Sequence, residues 1–292
     1  MSKPSTSPQI KSFFDEATNT ITHIVSDPVS KHAMILDPVL DYCAASGRTS
    51  TKSADMLIAY VTENALETKY ITETHAHADH LSSAPYLKEK LGGETVIGAD
   101  IDAVQKVFGP IFNAEDSFKT DGSQFDLLPK DGDILKLGDM DVTAIHTPGH
   151  TPACMSYLIG DAVFVGDTLF MPDFGTARCD FPGGCAQVLY NSIQKLFALP
   201  DETRVFLCHD YKAPGRDDYK WETTIGEEKA SNKHVGSGAN MESFVKMRTE
   251  RDAQLGMPKL ILPSVQVNMR GGDMPPADDN GMTYLKIPVN AL

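Results

Sequence analysis

Residues 74–80 read Thr-His-Ala-His-Ala-Asp-His, and this stretch decides the fold. The residues before it, 69–74, predict a β-strand, so the stretch begins where a rigid strand turns into a loop. A loop held at its base in this way can aim alternate side chains at one point. Four of its side chains could bind a metal ion: His75, His77, Asp79 and His80.

Three other segments repeat this arrangement. His150 follows a predicted strand at residues 141–146, and Asp167 follows one at residues 162–165. His209 follows a third predicted strand at residues 204–208. Burying so many ionisable groups is costly unless they are paired or bind a metal. If the strand ends lie side by side, the sequence predicts seven converging side chains: His75, His77, Asp79, His80, His150, Asp167 and His209.

This ligand set allows two kinds of metal site. Imidazole and carboxylate groups favour zinc, iron, manganese or nickel over calcium or magnesium. Full occupancy would hold two metals, with Asp167 as the bridge. The first would take His75, His77 and His150, and the second Asp79, His80 and His209. Alternatively, two histidines and one carboxylate could bind one face of a single metal. This is the ligand arrangement of the non-haem Fe(II) oxygenases.

The composition limits the partners and the compartment. The chain has 292 residues and a net charge of −14, so it lacks the basic footprint that nucleic-acid binding needs. No apolar run approaches the ~18 residues of a membrane span, and residues 1–20 contain no apolar signal segment. The five cysteines form no Cys-x-x-Cys pair. We therefore expect a cytoplasmic protein that binds neither nucleic acid nor membranes.

The pattern along the chain predicts an α/β fold with two mixed sheets packed together. Two hairpins are indicated, at residues 133–146 and 154–165, and each turns at a Gly-Asp pair. Predicted helices include residues 53–66, 82–91 and 187–199, which place helices on the outer faces. We expect one domain over residues 1–292, with a C-terminal extension from about residue 240. A last strand is predicted at residues 283–287.

The ordered segments His-x-His-x-Asp-His, Thr-Pro-Gly-His, Gly-Asp and a final His after a strand resemble the metallo-β-lactamase superfamily. The resemblance extends from residue 20 to about residue 232. It implies an αββα sandwich with the metal site at one edge, between the two β-sheets.

Within that superfamily, the chain resembles the branch that contains glyoxalase II and the persulfide dioxygenases of the ETHE type. The segments GTARCDF at residues 175–181, HDY at 209–211 and TTIGEEKASN at 223–232 are most similar to the dioxygenases. The tail is similar to longer bacterial proteins described as β-lactamase hydrolase-like. For the dioxygenases, the resemblance implies one Fe(II) per chain on His75, His150 and Asp167. His77, Asp79, His80 and His209 would then orient ligands and water.

The resemblance implies oxidation of glutathione persulfide by O₂ and water to sulfite and glutathione. Since glutathione carries two carboxylates, we expect cationic or donor groups to bind them. Arg178 is the first candidate, followed by Tyr211 and Lys212, with Lys229 and Asn232 as further candidates. The partners are then glutathione persulfide and O₂, and a homodimer is among the expected assemblies.

Two other functions are compatible with the same residues. One is a binuclear zinc thioester hydrolase of the glyoxalase II type, acting on S-lactoylglutathione through a metal-activated hydroxide. The other is a sensor that binds a thiol or sulfide at the metal without turnover.

Overall fold

The computed structural model describes residues 7–291. Its strands in chain order are β1 (Gln9–Asp15), β2 (Thr20–Ser26), β3 (His32–Leu36), β4 (Val39–Cys43), β5 (Arg48–Ser50), β6 (Glu67–Thr72), β7 (Leu81–Ser82), β8 (Glu94–Val96), β9 (Ile134–Leu137), β10 (Met140–His146), β11 (Met155–Ile159), β12 (Ala162–Phe164), β13 (Arg204–Phe206) and β14 (Glu222–Thr224). Its helices are α1 (Lys52–Glu63), α2 (Ala84–Leu91), α3 (Ile101–Ile111), α4 (Ala186–Phe197), α5 (Ile225–Ser231), α6 (Met241–Asp252) and α7 (Ile261–Asn268).

The first sheet has five strands in the order β1-β2-β3-β6-β8. Strands β1, β2 and β3 pair antiparallel, whereas β3, β6 and β8 pair parallel. All seven residues of β2 are buried, and so are four of the five in β3. Central strands that are covered on both faces have this nearly continuous burial.

The second sheet has six strands in the order β14-β13-β12-β11-β10-β9. All its pairs are antiparallel except β12 with β13. Both predicted hairpins are confirmed, since β9 pairs with β10 and β11 with β12. Gly138 and Gly160 begin the turns with φ of 65° and 59°, which two-residue hairpins of the primed type require.

The main core lies between these sheets, and helices cover their outer faces. Met34 and Leu36 of the first sheet pack with Tyr157 and Phe164 of the second. Helices α1 and α2 pack on the first sheet, and α4 and α6 pack on the second. The predicted αββα sandwich is therefore confirmed. A further three-stranded sheet, β5-β4-β7, was not predicted.

At the chain ends, one strand was not predicted and one predicted strand is wrong. Residues 9–15 form β1, which pairs with β2 along its whole length, although the Ser/Pro-rich start gave no strand signal. Residues 1–6 lie outside the described residues. The strand predicted at 283–287 is wrong, because no strand pairs with it in the described chain; the backbone of Lys286 bonds instead to the side chain of Gln266.

The C-terminal extension adds two helices to the layers. Phe244 of α6 shares an apolar cluster with Leu189 and Ile193 of α4. Helix α7 was not predicted, because Pro263 normally argues against a helix. Pro263 lies in the first turn, however, where backbone N–H groups have no carbonyl acceptor within the helix, so its missing N–H costs no hydrogen bond. Val265 of α7 packs with the cluster around α3. Within residues 7–291, no helix has the length and hydropathy to cross a bilayer.

Candidate metal centre

The ends of four strands bring the seven ligand candidates together. Strand β6 leads into residues 74–80, and β10 leads into the loop that carries His150. Strands β12 and β13 end shortly before Asp167 and His209. These strand ends meet at one edge of the sandwich, where the ligand atoms form two neighbouring clusters.

The first cluster contains His75, His150 and Asp167. Asp167 Oδ2 lies 3.9 Å from Nε2 of His75 and 3.6 Å from Nε2 of His150. His150 Nδ1–H donates to the carbonyl oxygen of Arg178 at 2.8 Å. His75 Nδ1 bonds to the hydroxyl of Thr74 at 3.1 Å. Because Nδ1 of each ring is engaged, Nε2 carries the lone pair that a metal needs.

The second cluster contains His77, Asp79, His80 and His209. His209 Nε2 lies 3.0 Å from Asp79 Oδ2 and 3.4 Å from Asp167 Oδ1. Burial opposes protonation of His209, but the two carboxylates outweigh burial and raise its pKa to about 9. Asp167 therefore presents one oxygen to each cluster, which is the position of a bridging carboxylate.

Unsatisfied buried atoms test whether this site fits a metal. In the described chain, one ligand-type atom on each of four residues is buried without a hydrogen-bond partner: Nδ1 of His77, Nε2 of His80, Nε2 of His209 and Oδ1 of Asp167. Buried polar atoms are rarely left unsatisfied, and a metal would satisfy these. The residues therefore fit a transition metal.

Two acidic residues that the sequence analysis missed orient His77. Its Nε2 lies 2.9 Å from Asp37 Oδ1 and 3.3 Å from Glu73 Oε2. Asp37 also accepts from the backbone N–H of Thr74 at 2.7 Å. Burial raises the pKa of Glu73, whereas at His77 both carboxylates outweigh burial and raise the pKa. Asp37 follows the end of β3, so the rule used for the other ligands could have found it.

A cavity of about 590 Å³ opens over the first cluster. His75, His150, Asp167 and Asp79 reach its wall, whereas the fully buried His77, His80 and His209 do not line it. Aromatic rings form part of the mouth. Tyr211 stacks on His209 with ring centroids 5.7 Å apart, and Phe170 meets Tyr211 edge-on at 5.9 Å. Tyr211, a predicted substrate-binding residue, therefore lies at the mouth of this cavity.

Two arginines on the cavity wall already have carboxylate partners. Arg178 bonds to both oxygens of Asp180 at 2.5 Å, and its Nη1 donates to a backbone carbonyl at 2.7 Å. Arg248, which is 1% exposed, bonds to Asp252 Oδ1 through Nε at 2.8 Å. Arg178, the first candidate for binding the glutathione carboxylates, lines the cavity, but its charge is largely balanced by Asp180.

Two further cations on the same wall come from the C-terminal extension. Arg251 of α6 and Lys259 in the following loop both line the cavity, and both are exposed. Neither forms an ion pair with another residue in the described chain. Neither was predicted, because nothing in the local sequence pattern shows that α6 packs beside the loops that carry the ligand candidates.

Three other substrate candidates lie away from the cavity lining. The Lys212 ammonium lies 4.2 Å from the ring centroid of Tyr219. The Lys229 ammonium bonds to Asp201 at 2.5 Å. Asn232 is buried, and its Nδ2 donates to the carbonyl oxygen of Gly175 at 3.1 Å and to Oε2 of Glu228 at 2.6 Å. Their positions give no direct contact with a substrate in the cavity.

A family model described as the metallo-beta-lactamase superfamily matches residues 33–209, which include all seven ligand candidates. The chain belongs to the metallo-beta-lactamase superfamily. Among its relatives in this superfamily are a probable metallo-hydrolase of Burkholderia pseudomallei and glyoxylase B2 of Dictyostelium discoideum. The first is 52% identical over 97% of this chain and 99% of the relative. The second is 53% identical over 92% of each.

ETHE1 proteins are also similar over most of the superfamily domain and its extension. The crystal structure of ETHE1 from Myxococcus xanthus matches with a TM-score of 0.72 and 31% identity, covering 91% of this chain and 100% of that one. Human persulfide dioxygenase ETHE1 is 29% identical over 91% of this chain and 90% of the relative.

Proposed function

We propose that this protein is a glutathione-dependent persulfide dioxygenase with one Fe(II) on His75, His150 and Asp167. The overall reaction is GSSH + O₂ + H₂O → GSH + SO₃²⁻ + 2 H⁺. When bound, the iron supplies a site where O₂ and the persulfide sulfur can lie side by side and exchange electrons. The similarity to ETHE1 over nearly the whole chain supports this proposal.

The observation that carries the proposal is which ligands face the cavity. The two histidines and the carboxylate of the first cluster reach the cavity wall, so the open positions of a metal held there would face the substrate. The three histidines of the second cluster are completely buried behind them. Two histidines and one carboxylate with open positions are typical of Fe(II) oxygenases.

The chain's own residues then bind and orient the substrate. The cavity of about 590 Å³ lies within the usual size of a small-molecule site. Arg251 and Lys259, which have no carboxylate partner in the described chain, would bind the carboxylates of glutathione, with Arg178 beside them. They supply a local positive wall in a chain whose net charge is −14. Tyr211 and Phe170 would cover the persulfide end of the bound substrate and limit the entry of water into the cavity.

The second candidate is a binuclear zinc thioester hydrolase. The unpartnered atoms of His77, His80 and His209 favour it, since they would suit a second metal. The similarity to glyoxylase B2 is also consistent with it. Because both functions use the same seven residues, the metal and the substrate must be tested together.

The test compares two metal forms with two substrates. The metal-free protein is loaded anaerobically with Fe(II) or with Zn(II), and each form receives glutathione persulfide or S-lactoylglutathione. We expect sulfite formation and O₂ uptake from the iron form with the persulfide. Thioester hydrolysis by the zinc form at two metals per chain, without O₂ uptake by either form, would overturn the proposal.

A further inference from the structure

Asn268, the last residue of α7, bonds to the loop that carries four of the ligand candidates, among them His75. Its side chain is 3% exposed and makes three hydrogen bonds. Nδ2 donates to the carbonyl oxygens of His77 at 2.8 Å and His80 at 2.7 Å, while Oδ1 accepts from the N–H of Ser82 at 2.9 Å. One amide thus holds three backbone groups that lie nearly 190 residues earlier in the chain.

These backbone groups need a partner from outside the loop. Residues 73–80 form neither helix nor strand, so the carbonyls of His77 and His80 have no place in a sheet ladder. Buried carbonyls must be satisfied by some donor. Both carbonyls belong to the short loop that also carries His75, a ligand of the proposed iron. Holding them therefore limits how far this loop can move and helps to set the position of His75.

The hydrogen bonds of Asn268 also belong to a closed network of contacts around His77. Ser82 donates its hydroxyl to Glu73 Oε1 at 2.5 Å, and Glu73 Oε2 faces the ring of His77 at 3.3 Å. Asn268 then connects the carbonyl of His77 back to the N–H of Ser82. His77 is therefore held at its backbone by Asn268 and at its ring by Glu73.

The chain after α7 also approaches this loop closely. Gly272 has a φ of 91°, and a Cβ there would lie 2.5 Å from Cδ of Pro85 and 3.2 Å from the carbonyl of Ser82. Only glycine fits at this distance and backbone conformation. The ligand loop is therefore contacted by Asn268, and the residues directly after that loop are contacted by Gly272.

We propose that Asn268 is a positioning residue of the metal centre, through which the C-terminal extension sets the geometry of the ligand loop. The inference rests on the metal centre of the proposed function but not on which reaction occurs there. Groups that hold metal ligands in place commonly change metal affinity by about 10–100-fold when they are removed. Asn268 acts on the backbone of the loop that carries His75, and it does not line the cavity.

Gln266 on the same helix provides a matched control. It is 2% exposed and also makes three side-chain hydrogen bonds, to the carbonyls of Leu262 and Lys286 and from the N–H of Lys286. These contacts hold the C-terminal tail and do not reach the metal loop. Asn268→Leu and Gln266→Leu therefore remove equal numbers of buried hydrogen bonds from one helix.

The experiment measures Co(II) affinity by chelator competition and the visible spectrum of the Co(II)-loaded protein. We expect Asn268→Leu to weaken Co(II) binding about 10–100-fold and to change the spectrum. Asn268→Asp, which keeps the acceptor for Ser82 but loses both N–H donors, decides the question if the leucine variant does not fold. Gln266→Leu should keep the affinity and spectrum of the unaltered protein.

Unchanged Co(II) affinity and spectrum in the folded Asn268 variants would overturn the proposal, and so would an equal loss in Gln266→Leu. The readout involves neither O₂ nor persulfide, so it stays valid if the protein proves to be a hydrolase. Failure of the proposed function and failure of this inference are therefore separate results.

Discussion

Replacing Asp252 with alanine removes the carboxylate that holds residues 175–180 against α6. Asp252 Oδ1 accepts from Nε and Nη2 of Arg248 at 2.8 and 2.5 Å, and Oδ2 accepts from the N–H of Cys179 at 2.8 Å. The guanidinium of Arg248 is 1% exposed, so water cannot replace the lost carboxylate. The same loop offers the carbonyl of Arg178 to His150. Asp252→Ala should therefore affect both the stability of the protein and the metal centre.

The magnitude follows from the burial of this ion pair. Breaking a buried pair by removing one partner costs about 3–5 kcal/mol. Unfolding entropy of about 2.1 cal/mol/K per residue gives roughly 0.6 kcal/mol/K for a chain of this length. A loss of about 4 kcal/mol should therefore lower the Tm of the metal-free protein by about 7 °C. Calorimetry of metal-free Asp252→Ala measures this shift directly.

The double variant Arg248→Met with Asp252→Leu is the control. Replacing both charges with apolar side chains of similar size is often nearly neutral, because no unpaired charge stays buried. We expect the double variant to recover most of the lost Tm. A shift below about 1 °C in Asp252→Ala, or a double variant no more stable than the single one, would refute this reasoning.

Three further predictions concern the cavity, the pH and the metal. Arg251→Met and Lys259→Met should each raise KM for glutathione persulfide about fivefold to tenfold, with kcat nearly unchanged, in steady-state assays at low salt. An unchanged KM in either variant would contradict the role of the residue replaced. Burial raises the pKa of Glu228 from 4.5 to about 8. Between these pH values the folded protein keeps a proton that the unfolded chain releases. The free energy of unfolding should therefore fall as the pH rises from about 4.5 to about 8. Urea unfolding should show a flatter pH profile for Glu228→Gln, and identical profiles count against the assignment. Metal analysis should find nearly all iron lost from Asp167→Ala but most of it kept by His209→Ala, whereas equal losses indicate two metals.

The strands and the turns between them could be predicted because their signals are local. The hairpins at residues 133–146 and 154–165 were predicted where they are observed, since apolar runs joined by a Gly-Asp turn need no tertiary information. The short strands β5, β7 and β14 were missed, because two or three residues carry no periodicity and depend on a partner strand. Residues 283–287 show the opposite case. Their sequence pattern is typical of a strand, but no partner strand lies beside them in the described chain, so they form none.

The ligands could be predicted, but the groups around them could not. Each ligand candidate follows a strand and lies in a recognisable segment, whereas Arg251 and Lys259 lie in a helix and loop with no metal motif. Their role depends on how α6 packs on α4 and on the loop at residues 175–180. Asn268 was missed for the same reason, since its contacts join two segments far apart in the sequence.

The central claim is that the protein uses one iron to transfer both oxygen atoms of O₂ to persulfide sulfur. The most direct measurement records O₂ uptake, sulfite formation and iron content in one sample of anaerobically loaded protein. We predict one O₂ consumed per sulfite formed, with activity proportional to iron up to one per chain. No O₂ uptake with glutathione persulfide at full iron loading would contradict the account.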